Sequence, residues 1–129
     1  NAEESYVVGS GDDLWRRSLY TYVKRQAPPP GLLTFDGPTR EKCTLRRSRT
    51  NTPLQALQLL NDETFVKAAE ALAKRSEGQK DRVAWMFRAV TAREPDADEL
   101  ALLQALGHRR SLTVVAHTIL NLDEAITKR

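Results

Sequence analysis

Between Leu54 and Leu122 the apolar positions recur at helical spacing in five successive runs. In the first, Leu54, Ala56, Leu57, Leu59 and Leu60 leave only Gln55 and Gln58 polar. Thr52 is placed to cap it and Pro53 to be its first helical residue, where proline's missing donor costs nothing. A short helix that is apolar nearly all round is expected at the centre of a core. Asp62 starts a second helix that runs to Arg75, with Phe65, Ala68, Ala69, Leu72 and Ala73 on one face. The alanines predict close approach by a neighbour, and Ser76 to Gln79, with Gly78, ends the run. A third helix, from about Asp81 to Ala92, aligns Val83, Phe87 and Val90. Pro95 breaks the chain, and Asp96 with Glu99 forms a capping-box start for a fourth. Leu100, Leu103 and Leu106 form its stripe and Gly107 is expected to stop it. Ser111 caps a fifth, whose Leu112, Val115, Ala116, Ile119 and Leu122 face inward. The pattern predicts an all-α fold, a compact bundle of about five antiparallel helices with short links.

The first fifty residues are less regular. Trp15, Leu19, Tyr22 and Val23 suit a helix face, while the alternation from Leu19 to Val23 suits a strand, so 16–24 is open between a helix and a short extended segment. Pro28, Pro29 and Pro30 force an extended turn. From Gly31 to Thr52 the chain has little period, which predicts a long ordered loop rich in proline and arginine. A loop of that length in a compact domain is expected to be packed or functional. Residues 1–11 read as a linker or a truncated edge, and 12–129 as a single helical domain.

Composition narrows the classes. The chain has 129 residues with 40% hydrophobic and 6% aromatic content, enough for one modest core. No apolar run approaches the ~20 residues needed to cross a bilayer, so no membrane span is expected. One cysteine and two histidines leave no disulfide framework within the chain and little room for a metal centre. The net charge of +3 conceals an uneven distribution. Residues 1–14 carry Glu3, Glu4, Asp12 and Asp13 and no base, a net −4. Residues 15–52 carry nine bases against Asp36 and Glu41, a net +7, and the remainder cancels. Any electrostatic partner therefore meets the 15–52 stretch.

The densest chemistry there is Arg46, Arg47 and Arg49 leading to Thr52 and the start of a helix. Guanidinium groups grip carboxylate, sulfate or phosphate in bidentate fashion, and a helix start adds backbone donors. These four residues are the candidate anion site. The alternative is that the arginines pair with Asp36, Glu41 and loop carbonyls and pin the irregular segment. Asp36, Glu41, Cys43 and Asp62 are expected as structural anchors of that segment. Cys43 is read either as a small buried apolar residue, as a thiol activated by its basic surroundings, or as the partner of a cysteine outside the chain. His117 falls on the polar side of the fifth helix and His108 in a turn, and neither has a second ligand at helical spacing, so no metal is expected. Aromatic residues lie among the bases, but no nucleic-acid reader motif is present and nucleic acid is not expected as a partner. The residues include no self-contained catalytic constellation.

The runs RRSLYTYVKR (16–25), PPPGLLTFDGPTREKCTLRRSRTNTPLQALQLLND (28–62) and TFVKAAEALAKR, with the later TAREPDADELALL and VVAHTILNLDEAI, resemble domain of unknown function 1553. This is a planctomycete-specific C-terminal domain of large cytochrome c-like proteins. The resemblance implies an exported, extracytoplasmic protein in which this chain is the C-terminal part of a larger domain. It also implies that haem sits in a separate upstream domain, since no Cys-x-x-Cys-His sequence occurs here; no cofactor is expected in this chain. The upstream domains of the same polypeptide become expected partners, and an acidic or sulfated glycan the expected anion. Two functions follow: a non-catalytic structural or binding module with a basic anion-binding surface, or one wall of a redox or hydrolytic site completed by those upstream domains. The family has no established catalytic residues to carry over.

Overall fold

The five longer helices begin where a short polar side chain takes up free amides of the first turn, which helps to fix their boundaries. The computed structural model describes residues 6–24, 27–38, 41–46, 48 and 50–126. Within them lie α1 (Pro30–Thr34), α2 (Pro53–Asn61), α3 (Glu63–Arg75), α4 (Arg82–Thr91), α5 (Ala97–Arg109), α6 (Leu112–Leu120) and α7 (Asp123–Ile126). The all-α expectation holds, with α2 to α6 as the five long runs and α1 and α7 as short additions. Asp62 Oδ1 accepts from Thr64 N at 2.9 Å and Asp81 Oδ1 from Val83 N and Ala84 N at 3.1 and 3.0 Å. Asp96 and Glu99 exchange bonds of 2.8 and 2.9 Å in a capping box. Ser111 caps α6 through Val114 N at 3.4 Å.

The chain divides into two compact units, Asn1–Gln55 and Ala56–Arg129. The second has a core of Ala69, Leu72, Ala73, Val83, Met86, Phe87, Leu103, Val115, Ala116 and Ile119. Its hub is α6, which packs on α3, α4, α5 and α7. Ala69 and Ala116 are fully buried, so the α3–α6 approach is made by small side chains that let the backbones come close. At the end of α3 the buried Ser76 Oγ donates to Ala73 O (2.6 Å) and accepts from Arg82 Nε (3.0 Å). Arg82 Nη2 also donates to Ala73 O (2.9 Å), so α3 and α4 are joined at their connection by satisfied polar groups.

Three expectations need correction. Central place in the core belongs to α6, not α2: Leu54, Leu57 and Leu60 are exposed, and the buried residues of α2 are Gln55 and Leu59. Counting apolar residues says that a helix can be buried, but not which side it turns inward. Gly107 likewise does not end α5, which continues to Arg109. A Cβ at Gly107 would stand 3.4 Å from Val115 Cγ2 and 3.7 Å from Leu112 Cδ2, so the glycine lies where α6 packs close. His117, placed by its spacing on the polar side, is half-buried, with Nε2 3.1 Å from Leu59 O at the end of α2.

In the first unit the open segment 16–24 forms neither an α-helix nor a strand. Ser18–Tyr20 is a single 3-10 turn, with extended backbone at Arg17 and Thr21 on either side. Another 3-10 turn covers Gly11–Trp15, and an isolated antiparallel bridge joins Lys24 to Ala27. Trp15, Leu19, Tyr20 and Tyr22 are exposed. Pro29 keeps the extended polyproline geometry, while Pro30 opens α1, where a missing amide is harmless.

Candidate functional site

The irregular segment is closed at its base by a polar knot. α1 ends with Asp36 in the left-handed region (φ 56°) and Gly37 N returning to Leu32 O at 2.6 Å, the long-range bond of a Schellman turn. A Cβ on Gly37 would fall 2.5 Å from Leu32 O, so the turn requires glycine there. This turn aims the Asp36 carboxylate at Thr50, fourteen residues on. Thr50 N donates to Asp36 Oδ2 at 2.8 Å and Thr50 Oγ1 lies 2.9 Å from both carboxylate oxygens. Gln55, only 7% exposed, completes the knot. Its Nε2 donates to Thr34 O and to Thr50 Oγ1, each at 2.8 Å, and its Oε1 accepts from Thr52 N at 3.0 Å. Thr52 Oγ1 in turn accepts from Gln55 N at 3.3 Å, so Thr52 and Gln55 form a capping box at the start of α2.

The knot separates the candidate residues into two groups. Asp36 and Thr52 are in it. The loop between its ends carries Glu41, Lys42, Cys43 and Arg46, all exposed. Asp62 lies elsewhere, as the cap of α3. Arg47 and Arg49 lie outside the described residues. Among the described residues, neither Lys42 nor Arg46 makes an ion pair. Thr52 commits both its amide and its hydroxyl to Gln55; Pro53 has no amide proton. The start of α2 is thus largely occupied, while the described basic side chains of the loop, Lys42 and Arg46, stand exposed. The Cys43 thiol is exposed rather than buried.

Gln55 and Thr50 escaped the sequence reading. The Thr-x-x-Gln spacing of 52–55 is a capping-box signal that could have found Gln55, but no local pattern ties Asp36 to Thr50. Arg93 escaped it as well. Its guanidinium bridges Glu99 (2.8 and 2.6 Å) and Glu124 (3.1 and 2.9 Å) and stands 4.7 Å over the Phe87 ring. Through these contacts it ties the end of α4 to the start of α5 and to α7. The Arg93 guanidinium, with the Asp96 amide second, holds the Glu99 carboxyl at about 2 against an ordinary 4.5. Arg93 itself is pushed above its usual range by Glu99 and then Glu124.

Because the carboxyl is lowered in the folded state, its contribution is complete above pH ~4.5 and disappears as pH falls towards ~2. Thermal melts of wild type and Glu99→Gln across that window are expected to converge at the acid end. The amide retains the reach to Asp96 but not the charge, so equal separation at all pH values would contradict the assignment.

Among the described residues no cluster of three histidine, cysteine or acidic side chains could hold a metal, and no helix is long and apolar enough to cross a membrane. Among the described residues, the loop is tied at its base through Asp36, Thr50 and Gln55 and carries Lys42 and Arg46 exposed. No curated protein and no solved structure matches the chain. A family model does, over residues 1–106, most of the length and all of the knot and its loop. The chain belongs to the PSD1 family, described as protein of unknown function (DUF1553).

Proposed function

We propose that the chain is a non-catalytic helical module whose loop between Asp36 and Thr50 contacts an anionic partner, an acidic or sulfated glycan. In this reading it forms the C-terminal part of an exported, cytochrome c-like polypeptide, works alongside the upstream domains of that polypeptide, and leaves haem to one of them. The observation that supports it is the combination of a closed neck with unpaired charge. Asp36 is engaged by Thr50, and Lys42 and Arg46 are exposed and form no ion pair among the described residues, with Glu41 the one described acid beside them in the loop. Holding the ends of a basic loop reduces the conformational entropy lost when it binds. Sulfate and carboxylate suit arginine's paired donors, and several weak charge contacts along a polymer add up by multivalency.

The test is retention on heparin against neutral dextran over a salt gradient. Wild type is expected to be held by heparin alone and released by moderate salt. Lys42→Ser with Arg46→Ser is expected to weaken binding about threefold to tenfold, the combined effect of two exposed charge contacts. Retention that is equal on both matrices, or unaltered in the double variant, refutes the reading.

A further inference from the structure

The half-buried pair Asp36 and Gly37 is the one Asp-Gly sequence of the chain, and no Asn-Gly occurs. That pair has a chemistry of its own. The amide nitrogen after an aspartate can attack the side-chain carboxyl and close a five-membered ring, an intramolecular reaction governed by how freely the two groups meet. A side chain on the second residue obstructs the approach, and glycine has none. The turn after α1 requires glycine for a different reason, since a Cβ on Gly37 would fall 2.5 Å from Leu32 O. The least hindered neighbour therefore stands next to the carboxylate that closes the loop.

The closed knot restrains both reactants. Gly37 N donates its proton to Leu32 O at 2.6 Å. It must lose that proton before it can attack, and its lone pair is already spread into the amide. Thr50 holds both carboxylate oxygens, with its N 2.8 Å from Oδ2 and its Oγ1 2.9 Å from each. Gln55 Nε2 donates to that Oγ1 at 2.8 Å, and Gln55 is buried. Any rotation of the carboxyl breaks bonds to Thr50, and any shift of Gly37 N breaks its bond to Leu32 O. We propose that Asp36–Gly37 is a site of spontaneous isoaspartate formation, kept dormant by the knot and activated when the neck of the loop opens.

In the open neck, Gly37 N bonds to Asp36 Cγ. The protonated carboxyl gives up its hydroxyl and the amide its hydrogen, so one water leaves and a succinimide remains. Water then adds at one of the two ring carbonyls and breaks its bond to nitrogen. Opening at the side-chain carbonyl restores aspartate. Opening at the main-chain carbonyl leaves isoaspartate, with the chain running through Cβ and Cγ and the free carboxylate on Cα. The mass is unchanged, but the main chain gains a methylene within the turn. Gly37 N and the carboxylate then no longer meet Leu32 O and Thr50 together, so a momentary opening becomes a permanent one.

Ageing at neutral pH tests this, with isoaspartate read by fragmentation of the tryptic peptide 26–40. The rate is expected to follow the population of open necks. The chain in concentrated urea sets the upper limit, and folded wild type is expected to react about tenfold more slowly or less. Thr50→Val removes the hydroxyl at nearly constant shape. It is expected to react about fivefold to thirtyfold faster than wild type, up to that limit, while Thr50→Ser stays near wild type. Circular dichroism should be unchanged in both, because α3 to α6 lie in the other unit. In aged wild type, brief trypsin treatment of the native protein is expected to cut the loop in proportion to its isoaspartate content. A folded chain that reacts as fast as the chain in urea overturns the proposal without recourse to any variant. So does an unfolded chain that forms no isoaspartate at 36, a Thr50→Val variant that ages at the wild-type rate, or isoaspartate that leaves loop cleavage unchanged.

Discussion

Phe87→Ala is expected to destabilise the chain by about 3–5 kcal/mol, the usual cost of emptying a fully buried aromatic site. Phe87 is 1% exposed on α4, in the core made by α3, α5 and α6. Its ring also lies under the Arg93 guanidinium, which in turn holds Glu99 and Glu124. The substitution therefore removes packing on one side and the platform of an ion-pair cluster on the other. Against a typical total of ~5–15 kcal/mol, that is a large fraction of the stability. Leu57→Ala provides the contrast. It deletes a large aliphatic side chain from a helix that is leucine-rich in the sequence, yet a surface position should shift the monomer by no more than ~0.5 kcal/mol. Urea unfolding followed by circular dichroism measures both. A reversed order, with Leu57→Ala the costlier, would mean that α2 and not α6 lies at the centre of the fold.

That contrast shows where sequence reading succeeds on this chain. Capping residues act over two or three positions, so Asp62, Asp81, Asp96 and Ser111 mark the starts of α3 to α6 from local chemistry alone. The inward stripe of α6 was equally plain, because Val115, Ala116 and Ile119 stand at helical spacing. α2 could not be oriented in the same way. Its Gln55 is buried because it reaches Thr34 and Thr50, bonds whose partners lie outside the helix and outside any periodic window. Gly107 misled for a related reason: glycine marks helix ends and close packing alike, and the choice depends on α6, which comes later in the chain. The Arg93 cluster gathers residues 87, 99 and 124, a set that only the tertiary fold brings together. Of the candidate anion site, the sequence revealed the charge and the cap but not the closure that separates them.

Asp36→Ala is expected to open that closure. The carboxylate receives Thr50 N and Thr50 Oγ1, and Thr50 Oγ1 receives Gln55, so Asp36 holds the Thr50 side of the knot. Alanine removes those bonds and also has to adopt φ 56°, which aspartate tolerates better than a residue without a polar side chain. The two effects together are expected to cost about 1–3 kcal/mol. Because the knot belongs to the first unit, the loss should be local rather than global. Trypsin is the sensitive readout, since Lys42 and Arg46 lie within the loop and cleavage follows the population of opened chains. A cost of that size corresponds to a rise in loop cleavage of about fivefold to a hundredfold, with little change in the melting of α3 to α6. Asp36→Asn separates the two causes: it tolerates the left-handed backbone and retains an acceptor for Thr50, so its cleavage rate should fall between those of wild type and the alanine variant. Heparin binding should weaken in step with cleavage, because an untethered loop has the same charges but must be ordered on contact. If Asp36→Ala cleaves as slowly as wild type, the Asp36–Thr50 contact does not hold the loop, and the preorganised basic surface has no physical basis.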